Sequence, residues 1–335
     1  MLAPTTDDPF ARLQQQHGRS LTLAHLVAAG LDQLPLPGSG RTLARWQRLA
    51  AVAAHDLPLV KLFEGHTDAI AILAELDGPT PAPGTRWGTW CAEPPDARLA
   101  FAPLGEGPEL RIDGTKAWCS GAPSMTHAVV SGWNLDGEPC LAAVALDQPG
   151  VRVTHNGWKA VGMAASESVD VQFDNARGLQ VGTPGDYTRR PGFWQGGAGI
   201  AACWFGGALG IATMTRDLSR GASDPHRLGH LGAIDVAMAG AAALLREAAA
   251  AIDAQPGANV QALTLRTRLA IEAAAESVLR HAGRALGAGP LCRNERFAHA
   301  MADLPVFMRQ SHAERDLAAL GQCLTNTTQA LSWQL

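Results

Sequence analysis

The hydrophobic periodicity of the chain changes twice, and this limits its fold more than any other feature of the sequence. Up to about residue 82, apolar residues recur every three or four positions, as in LTLAHLVAAGLDQL, which predicts helices. From Thr85 to about Ala176, short runs mix β-branched or aromatic residues with polar ones, and dipeptides such as Asp113-Gly114 suit hairpin turns. After Arg189 the helical spacing returns.

These changes predict an α+β protein with three domains. We expect an N-terminal helical domain at 1–84, a central antiparallel β-barrel of about seven or eight strands at 85–185, and a C-terminal four-helix bundle at 186–335. The predicted bundle helices are residues 192–220, 228–254, 259–287 and 296–324. Pro305 either kinks the last of these helices or opens a new one.

One segment is apolar enough to raise the question of a membrane. Residues 191–215 contain no charge over 25 positions, which is long enough to span a bilayer. Seven glycines and Gln195 dilute its hydrophobicity, and we identify no second segment of this kind. We therefore interpret it as a buried bundle helix and expect no membrane span.

Charge and cysteine usage exclude several functional classes. The formal net charge of −4 offers no basic field for nucleic acid or anionic lipid, so we expect neither partner. The six cysteines are scattered and form no metal-ligand motif, so we expect no metal site and a reducing, cytoplasmic location. The N-terminus lacks the basic and apolar regions of a secretory signal.

Two segments of the strand region resemble the acyl-CoA dehydrogenase superfamily. Residues 110–130, LRIDGTKAWCSGAPSMTHAVV, are similar to a barrel segment with Gly, Lys, Trp and Thr or Ser at alternate positions, and residues 157–175 resemble a later strand. The resemblance extends over about residues 55–322 and implies a flavin, expected as FAD. By this resemblance Ser120 lies beside flavin N5 and Trp118 forms an aromatic wall near the ring. Without the resemblance, Trp118 is better explained as a barrel core residue and Ser120 as a turn residue after a strand.

Further flavin contacts are implied only in part. The string WCAEP at residues 90–94 is similar to the family's "Tyr, Cys, x, Thr, Glu, Pro", but Ala92 replaces the threonine. The resemblance therefore implies only backbone contacts to the flavin at Cys91, Ala92 and Glu93. Glu93 is alternatively an ordinary solvated charge.

The helical region after the barrel shows similar departures. Pro225 stands where the family has an arginine for the flavin pyrophosphate, and His226 and Arg227 are the nearest substitutes. Gly287 and Gly289 retain a glycine turn that in the family touches a flavin bound mainly to the neighbouring subunit. The resemblance thus implies a homodimer or homotetramer, although a glycine-rich helix end explains the turn equally well.

The base of the family is missing from its usual positions. Removal of an α-proton from a thioester requires a base such as a carboxylate, but Gln310 and Ser311 stand where the resemblance places it. Glu314, about one helical turn beyond Gln310, is a possible stand-in. His312 is similar in position to a histidine of the flavin-dependent monooxygenase branch, where it would act as an acid or base.

Three functions remain open from the sequence. The first, which we predict, is an FAD-dependent dehydrogenase that carries out α,β-oxidation of an acyl thioester with hydride transfer to flavin N5 and passes electrons to a separate acceptor. The second is a monooxygenase of the same fold that takes reduced flavin from a partner reductase. The third is a non-catalytic relative that retains the fold.

Overall fold

The computed structural model describes residues 8–326, and these residues form two compact units. The first unit contains the chain up to Leu34 and Pro58–Phe193, and the second contains Pro35–Leu57 and the chain from Trp194 onward. The fold class is α+β, as predicted. The helical region at residues 1–84 contributes to both units, because residues 35–57 cluster with the C-terminal helices.

Helices dominate both ends of the described chain. In order they are α1 Pro9–His17, α2 Leu23–Ala28, α3 Thr42–His55, α4 Leu57–Glu75, α5 Asp186–Arg189, α6 Pro191–Leu218, α7 Pro225–Ala254, α8 Gln261–Leu286, α9 Ala288–Arg293, α10 Glu295–Phe307 and α11 Glu314–Asn326. Several begin at the polar side chains that favour helix starts. The carboxylate of Asp8 caps α1, and that of Asp224 accepts hydrogen bonds from the backbone of His226 and Arg227 at the start of α7.

A seven-stranded sheet forms the centre of the first unit. Its strands are β1 Trp87–Trp90, β2 Leu99–Pro103, β3 Glu109–Cys119, β4 His127–Trp133, β5 Pro139–Ala145, β6 Val151–Val153 and β7 Val169–Val181. The pairing runs from β4 through β2, β3, β7 and β5 back to β4, while β1 adds to β4 and β6 adds to β7.

The sheet is mixed, so the prediction of a purely antiparallel arrangement is wrong in two pairings. β1 and β4 run parallel with Trp87 opposite His127, and β2 meets β4 in parallel at Ala100 and Trp133. Only strands joined by a short hairpin must run antiparallel. Since β1 and β2 do not lead directly into β4, the chain can return in either direction.

The core of the first unit lies between α4 and one face of the sheet. The buried apolar residues of this cluster are Ala69, Ile72 and Leu73 on α4, together with Trp87, Val129, Leu141, Ala143 and Val181 on the strands. Their burial fixes which face of the sheet is turned inward.

Glycines allow α6 and α3 to approach closely in the second unit. A methyl group at Gly206 would lie 2.3 Å from the carbonyl oxygen of Ala50, and one at Gly210 would lie 2.8 Å from that of Ala54. Ala201–Trp204 on α6 are buried. The charge-free segment is therefore a closely packed helix, in agreement with its interpretation from sequence.

A second helix is also long and apolar enough to cross a membrane by length and composition alone. Besides α6, α7 meets this test. Asp235 interrupts α7, so a search for charge-free runs missed it, and the expectation of a single such segment is wrong. The apolar window of α6 is 61% buried, whereas that of α7 is only 22% buried. Packing in the protein core thus explains the apolar composition of α6, whereas much of α7 is exposed.

The helix predicted at residues 296–324 is broken into two. α10 ends at Phe307, a 3-10 turn covers Met308–Gln310, and α11 begins at Glu314. Pro305 lies within the last turn of α10, where its missing N–H weakens the continuation of the helix. Ala313 then adopts a left-handed φ of 46°. Gln310 and His312 consequently do not lie on the continuous helix that the sequence suggested.

Candidate functional site

A buried ion pair anchors the chain that follows β1. The Lys116 side chain is 0% exposed, and its Nζ donates to Glu93 Oε1 at 2.5 Å. The same Nζ donates to the carbonyl and the hydroxyl oxygen of Ser131 at 2.9 and 2.8 Å. The Ser131 hydroxyl and the Trp133 indole, at 3.0 Å, in turn donate to the Glu93 carboxylate. Glu93 therefore ties this loop to β3 and β4.

Both oxygens of the Glu93 carboxylate accept hydrogen bonds within this network. Burial alone would raise its pKa, but the hydrogen bonds from Lys116 and Ser131 outweigh that effect and hold the pKa below its ordinary value. The group is thus ionised at neutral pH. Its side-chain oxygens have protein partners, which leaves the backbone as the part of Glu93 available for a ligand.

Trp118 is presented to solvent by an irregular stretch of β3. The register of β3 against β7 shifts between Lys116 and Cys119, and Trp118 has a positive φ of 57°. Such a bulge re-aims side chains, and a non-glycine residue in this region is under strain. The Trp118 side chain is 52% exposed, so the explanation of Trp118 as a barrel core residue does not hold. Its indole face is available to a planar ligand.

Ser120 is held on three sides. The Trp90 indole donates to its carbonyl oxygen at 3.1 Å, and the N–H of the following residue, Gly121, donates to the Ser166 carbonyl oxygen at 2.7 Å. The Ser120 hydroxyl lies 2.8 Å from that of Ser168. Ser120 remains partly exposed beside Trp118, so the two residues that the resemblance assigned to the flavin ring stand at one end of β3.

The side chain of Cys91 is directed into the protein. It packs against the core cluster under the sheet, and burial raises the pKa of its thiol to about 11. The thiol is therefore neutral and unreactive at physiological pH. Neither Cys91 nor Ala92 carries a side-chain hydroxyl, so a hydrogen bond from these residues to a ligand would have to come from the backbone.

In the second unit, the structure brings Arg227 to the glycine turn. The Arg227 guanidinium Nε donates to the Ala285 carbonyl oxygen at 3.0 Å, two residues before Gly287 ends α8 with a φ of 64°. The His226 side chain is exposed, and Gly289 lies in the exposed first turn of α9. The two sequence segments thus meet where the start of α7 contacts the end of α8.

A pair of histidines beside this turn was not identified from the sequence. The Nδ1 atoms of His230 on α7 and His281 on α8 are 2.9 Å apart. Burial, Arg280, His230 and Arg284 lower the pKa of His281. With His226 and Arg227, these residues form a basic group on two adjacent helices. In the sequence, basic residues recur at i, i+1 and i+4 in both helical segments, and this spacing could have indicated the basic group.

His312 and Glu314 flank the start of α11. The side chain of His312 is 64% exposed, its Nδ1 lies 3.5 Å from Asp316 Oδ1, and its backbone N–H donates to Asp316 Oδ2 at 3.1 Å. Glu314 is exposed in the first turn of the helix. The structure therefore gives His312 a carboxylate partner and leaves Glu314 in contact with solvent.

Next to this break, polar atoms are buried around Arg268. Its guanidinium donates to the carbonyl oxygens of Gly197 and Gln310 at 2.9 and 3.0 Å and lies 4.8 Å from the ring centre of Trp204. Trp204 Nε1, Thr267 Oγ1 and Gln310 Oε1 are buried without a hydrogen-bond partner. Within residues 8–326, three or more potential metal-ligating side chains nowhere cluster together.

Comparison with known proteins reveals similarity in structure but not in sequence. No protein-family model matches the chain, and no curated protein matches it. Among solved structures, the FMN-bound dibenzothiophene monooxygenase TdsC from Paenibacillus sp. A11-2 is 18% identical, with a TM-score of 0.79 over 95% of this chain and 91% of that protein. Methanesulfinate monooxygenase MsuC from Pseudomonas fluorescens is 20% identical, with a TM-score of 0.78 over 97% and 98% of the two chains. A nitrososynthase from Micromonospora carbonacea var. africana is 16% identical, with a TM-score of 0.76 over 95% and 93%.

The chain has the acyl-CoA dehydrogenase-like fold. This agrees, at the level of the fold, with the resemblance found in the sequence motifs. At these identities the similarity establishes the fold alone, and the chemistry must be argued from the residues of this chain.

Proposed function

We propose that the chain is a flavin-dependent monooxygenase that uses reduced flavin and oxygen. The observation that carries this proposal is the His312–Asp316 pair at the break before α11. It supplies an acid–base group where the sequence lacks the dehydrogenase carboxylate. Glu314 and His312 are both exposed, so neither has the dry surroundings that removal of an α-proton needs. The similarity in fold to two monooxygenases supports the same choice.

The sheet has the features that a flavin ring requires. The exposed indole of Trp118 offers a flat apolar surface, and the Ser120 oxygen provides a polar partner for the ring edge. The backbone from Cys91 to Glu93, held in place by the Glu93–Lys116 pair, offers further hydrogen-bond groups. When bound, the flavin would supply the redox chemistry, and these residues would orient it.

Within the second unit, considered by itself, the basic group on α7 and α8 suits a phosphate. Arg227 is fixed by a hydrogen bond to the Ala285 carbonyl oxygen, and Arg280 and Arg284 beside His281 on α8 add positive charge in a protein whose net charge is negative. We propose FMN rather than FAD, since TdsC is described with bound FMN. Tighter binding of FMN than of riboflavin, with the difference removed by Arg227→Ala, would support this assignment. Equal binding of the two would contradict it.

His312 would transfer protons during turnover. With Nδ1 directed at Asp316, the Nε2 atom is left to exchange a proton with the substrate or with solvent. When the ring is protonated, the Asp316 carboxylate, 3.5 Å from Nδ1, would orient the imidazole by charge attraction. His299 on α10 is similarly exposed, at 61%, and lies 4.0 Å from Glu295, so it provides a matched control.

The test supplies photoreduced FMN and oxygen with indole, dibenzothiophene and methanesulfinate as probe substrates, and detects oxygen-containing products by mass spectrometry. We expect product with at least one probe, a loss of at least about tenfold in His312→Ala, and little change in His299→Ala. A separate reductase would supply reduced flavin in the cell. Anaerobic bleaching of bound flavin by acyl-CoA without reductase would instead establish the dehydrogenase, and failure to bind any flavin would favour a non-catalytic relative.

We also propose that the chain is a homo-oligomer associating through α7. Val236 and Leu228 on this helix are 74% and 48% exposed, although the helix is among the most apolar of the described chain. Val236→Glu should lower the mass measured by light scattering, whereas Val161→Glu, at a position 87% exposed in the first unit, should not. An unchanged oligomer in Val236→Glu would refute this interface.

A further inference from the structure

Two histidine rings meet edge to edge between the start of α7 and the end of α8. The Nδ1 atoms of His230 and His281 are 2.9 Å apart, the ring centres are 5.2 Å apart, and the ring planes are tilted by 51°. Both residues are half-buried. A distance of 2.9 Å between two nitrogens is that of a hydrogen bond, so one Nδ1 carries a hydrogen and the other accepts it.

This hydrogen bond limits how many protons the histidine pair can hold. The neutral pair has one hydrogen between the two Nδ1 atoms, and the Nε2 atom of each ring lies outside the bond. A first added proton can bind at Nε2 of the donor ring, and the hydrogen bond is kept. A second added proton has to bind at the acceptor Nδ1. Two N–H groups and two positive charges would then face each other, so the hydrogen bond would be lost.

The charges next to the pair oppose the second proton. Burial lowers the pKa of His281, and Arg280, His230 and Arg284 lower it further. Among residues 8–326, no carboxylate contributes to this shift. The neutral form of His281 is therefore favoured at neutral pH.

Other charged groups around these helices lie further along the chain or have partners of their own. At the start of α7, the Asp224 carboxylate accepts hydrogen bonds from the backbone of His226 and Arg227. The Thr42 side chain of α3 bonds to Asp253, near the other end of α7. The remaining charged side chains closest in sequence are Asp235 on α7, Glu276 on α8, which lies 3.7 Å from Arg309, and Arg293 on α9.

We propose that the His230–His281 pair is a pH-sensitive contact, which holds the start of α7 against the end of α8 at neutral pH and opens in mild acid when both rings become cationic. The Arg227 side chain bonds to the Ala285 carbonyl oxygen at the same ends of the two helices, so opening should release this bond as well. The proposal goes beyond the proposed function and does not depend on it, because it requires no bound flavin.

Hydrogen–deuterium exchange followed by NMR measures how often the contact opens. Because folding lowers the pKa of His281, protons favour the open form, and its population should rise as the pH falls below the ordinary histidine pKa of about 6.5. After correction for the intrinsic exchange rate, the amides of residues 231–234 should exchange up to about tenfold faster for each pH unit, since opening takes up one proton. The amides of residues 245–249, further along α7, provide the reference and should not respond.

Variants separate the histidine pair from other effects of acid. In His281→Gln an amide replaces one ring and can still hydrogen-bond to His230, but it takes up no proton, so exchange at residues 231–234 should lose its pH dependence. His230→Gln makes the reciprocal change and serves if the first variant does not fold. His299→Gln removes an exposed ring on α10 and should behave as the wild type.

Titration of the ring hydrogens by NMR provides a second measurement. The wild-type pair should take up its two protons in steps at least about one pH unit apart. Uptake of both protons in one step would overturn the proposal. So would exchange at residues 231–234 that ignores pH in the wild type, or that depends on pH equally in the wild type and both pair variants. Failure to bind flavin would contradict the proposed function and leave this proposal standing.

Discussion

The ion pair between Glu93 and Lys116 predicts an unequal response to the removal of its two members. Lys116 is 0% exposed, so Glu93→Gln leaves a buried ammonium group without a counter-charge. Loss of one partner from a buried pair costs about 3–5 kcal/mol in the free energy of unfolding. Because the glutamine side chain still offers an amide oxygen as an acceptor, we expect a loss of about 3 kcal/mol, at the low end of this range. The Glu93 side chain is 28% exposed and keeps its hydrogen bonds from Ser131 and Trp133. Lys116→Met should therefore cost less, about 1–2 kcal/mol.

Urea denaturation followed by circular dichroism measures both losses. The pH dependence provides an independent check, because the pKa of Glu93 is lowered in the folded protein. A carboxyl group whose pKa is lowered by folding stabilises the folded protein. This stabilisation is complete above the pKa of the group in the unfolded chain, about 4.3, and disappears as the pH falls through its pKa in the folded protein. The difference between the wild type and Glu93→Gln should therefore shrink in acid. Equal losses for the two variants, or a difference that grows as the pH falls, would refute this reasoning.

Two further predictions concern packing and thiol reactivity. Gly206→Ala should destabilise the protein by about 1–3 kcal/mol in denaturation experiments, because its methyl group would lie 2.3 Å from the Ala50 carbonyl oxygen. Gly229→Ala, where nothing lies within 4 Å, should instead be neutral or stabilise the helix by up to about 1 kcal/mol, and similar losses at both sites would contradict the packing account. At neutral pH, mass spectrometry after iodoacetamide treatment should find the exposed Cys292 alkylated well before Cys91, whose pKa is about 11, and the opposite order would be inconsistent with the buried thiol.

Local pattern was sufficient to predict most elements of secondary structure. The glycine-rich segment could be assigned to a buried helix because small residues and missing charges are properties of the segment itself. Trp118 and Ser120 could be singled out because their motif is contiguous in the chain. The break before α11 was harder to predict, since it depends on Pro305 and on the left-handed backbone of Ala313 within an otherwise helical pattern.

Contacts between distant segments were not visible in the sequence. Ser120 and Ser168 are 48 residues apart, and the hydrogen bond that holds the Ser120 hydroxyl depends on this contact. His230 and His281 are 51 residues apart and meet only because α7 packs on α8. The parallel pairing of β1 with β4 likewise depends on how the chain closes, and periodicity indicates only which face of a strand is buried. The missed parts of the site are thus those that tertiary structure assembles.

The most direct test of the proposed flavin site is an anaerobic titration of the purified protein with reduced FMN. The wild type, Trp118→Ala and Ser120→Ala would be compared by quenching of protein fluorescence. The structure predicts saturable binding by the wild type and a loss of about tenfold or more in affinity when the Trp118 ring contact is removed, with a smaller loss for Ser120→Ala. Binding that is absent from the wild type, or unchanged in both variants, would contradict the account.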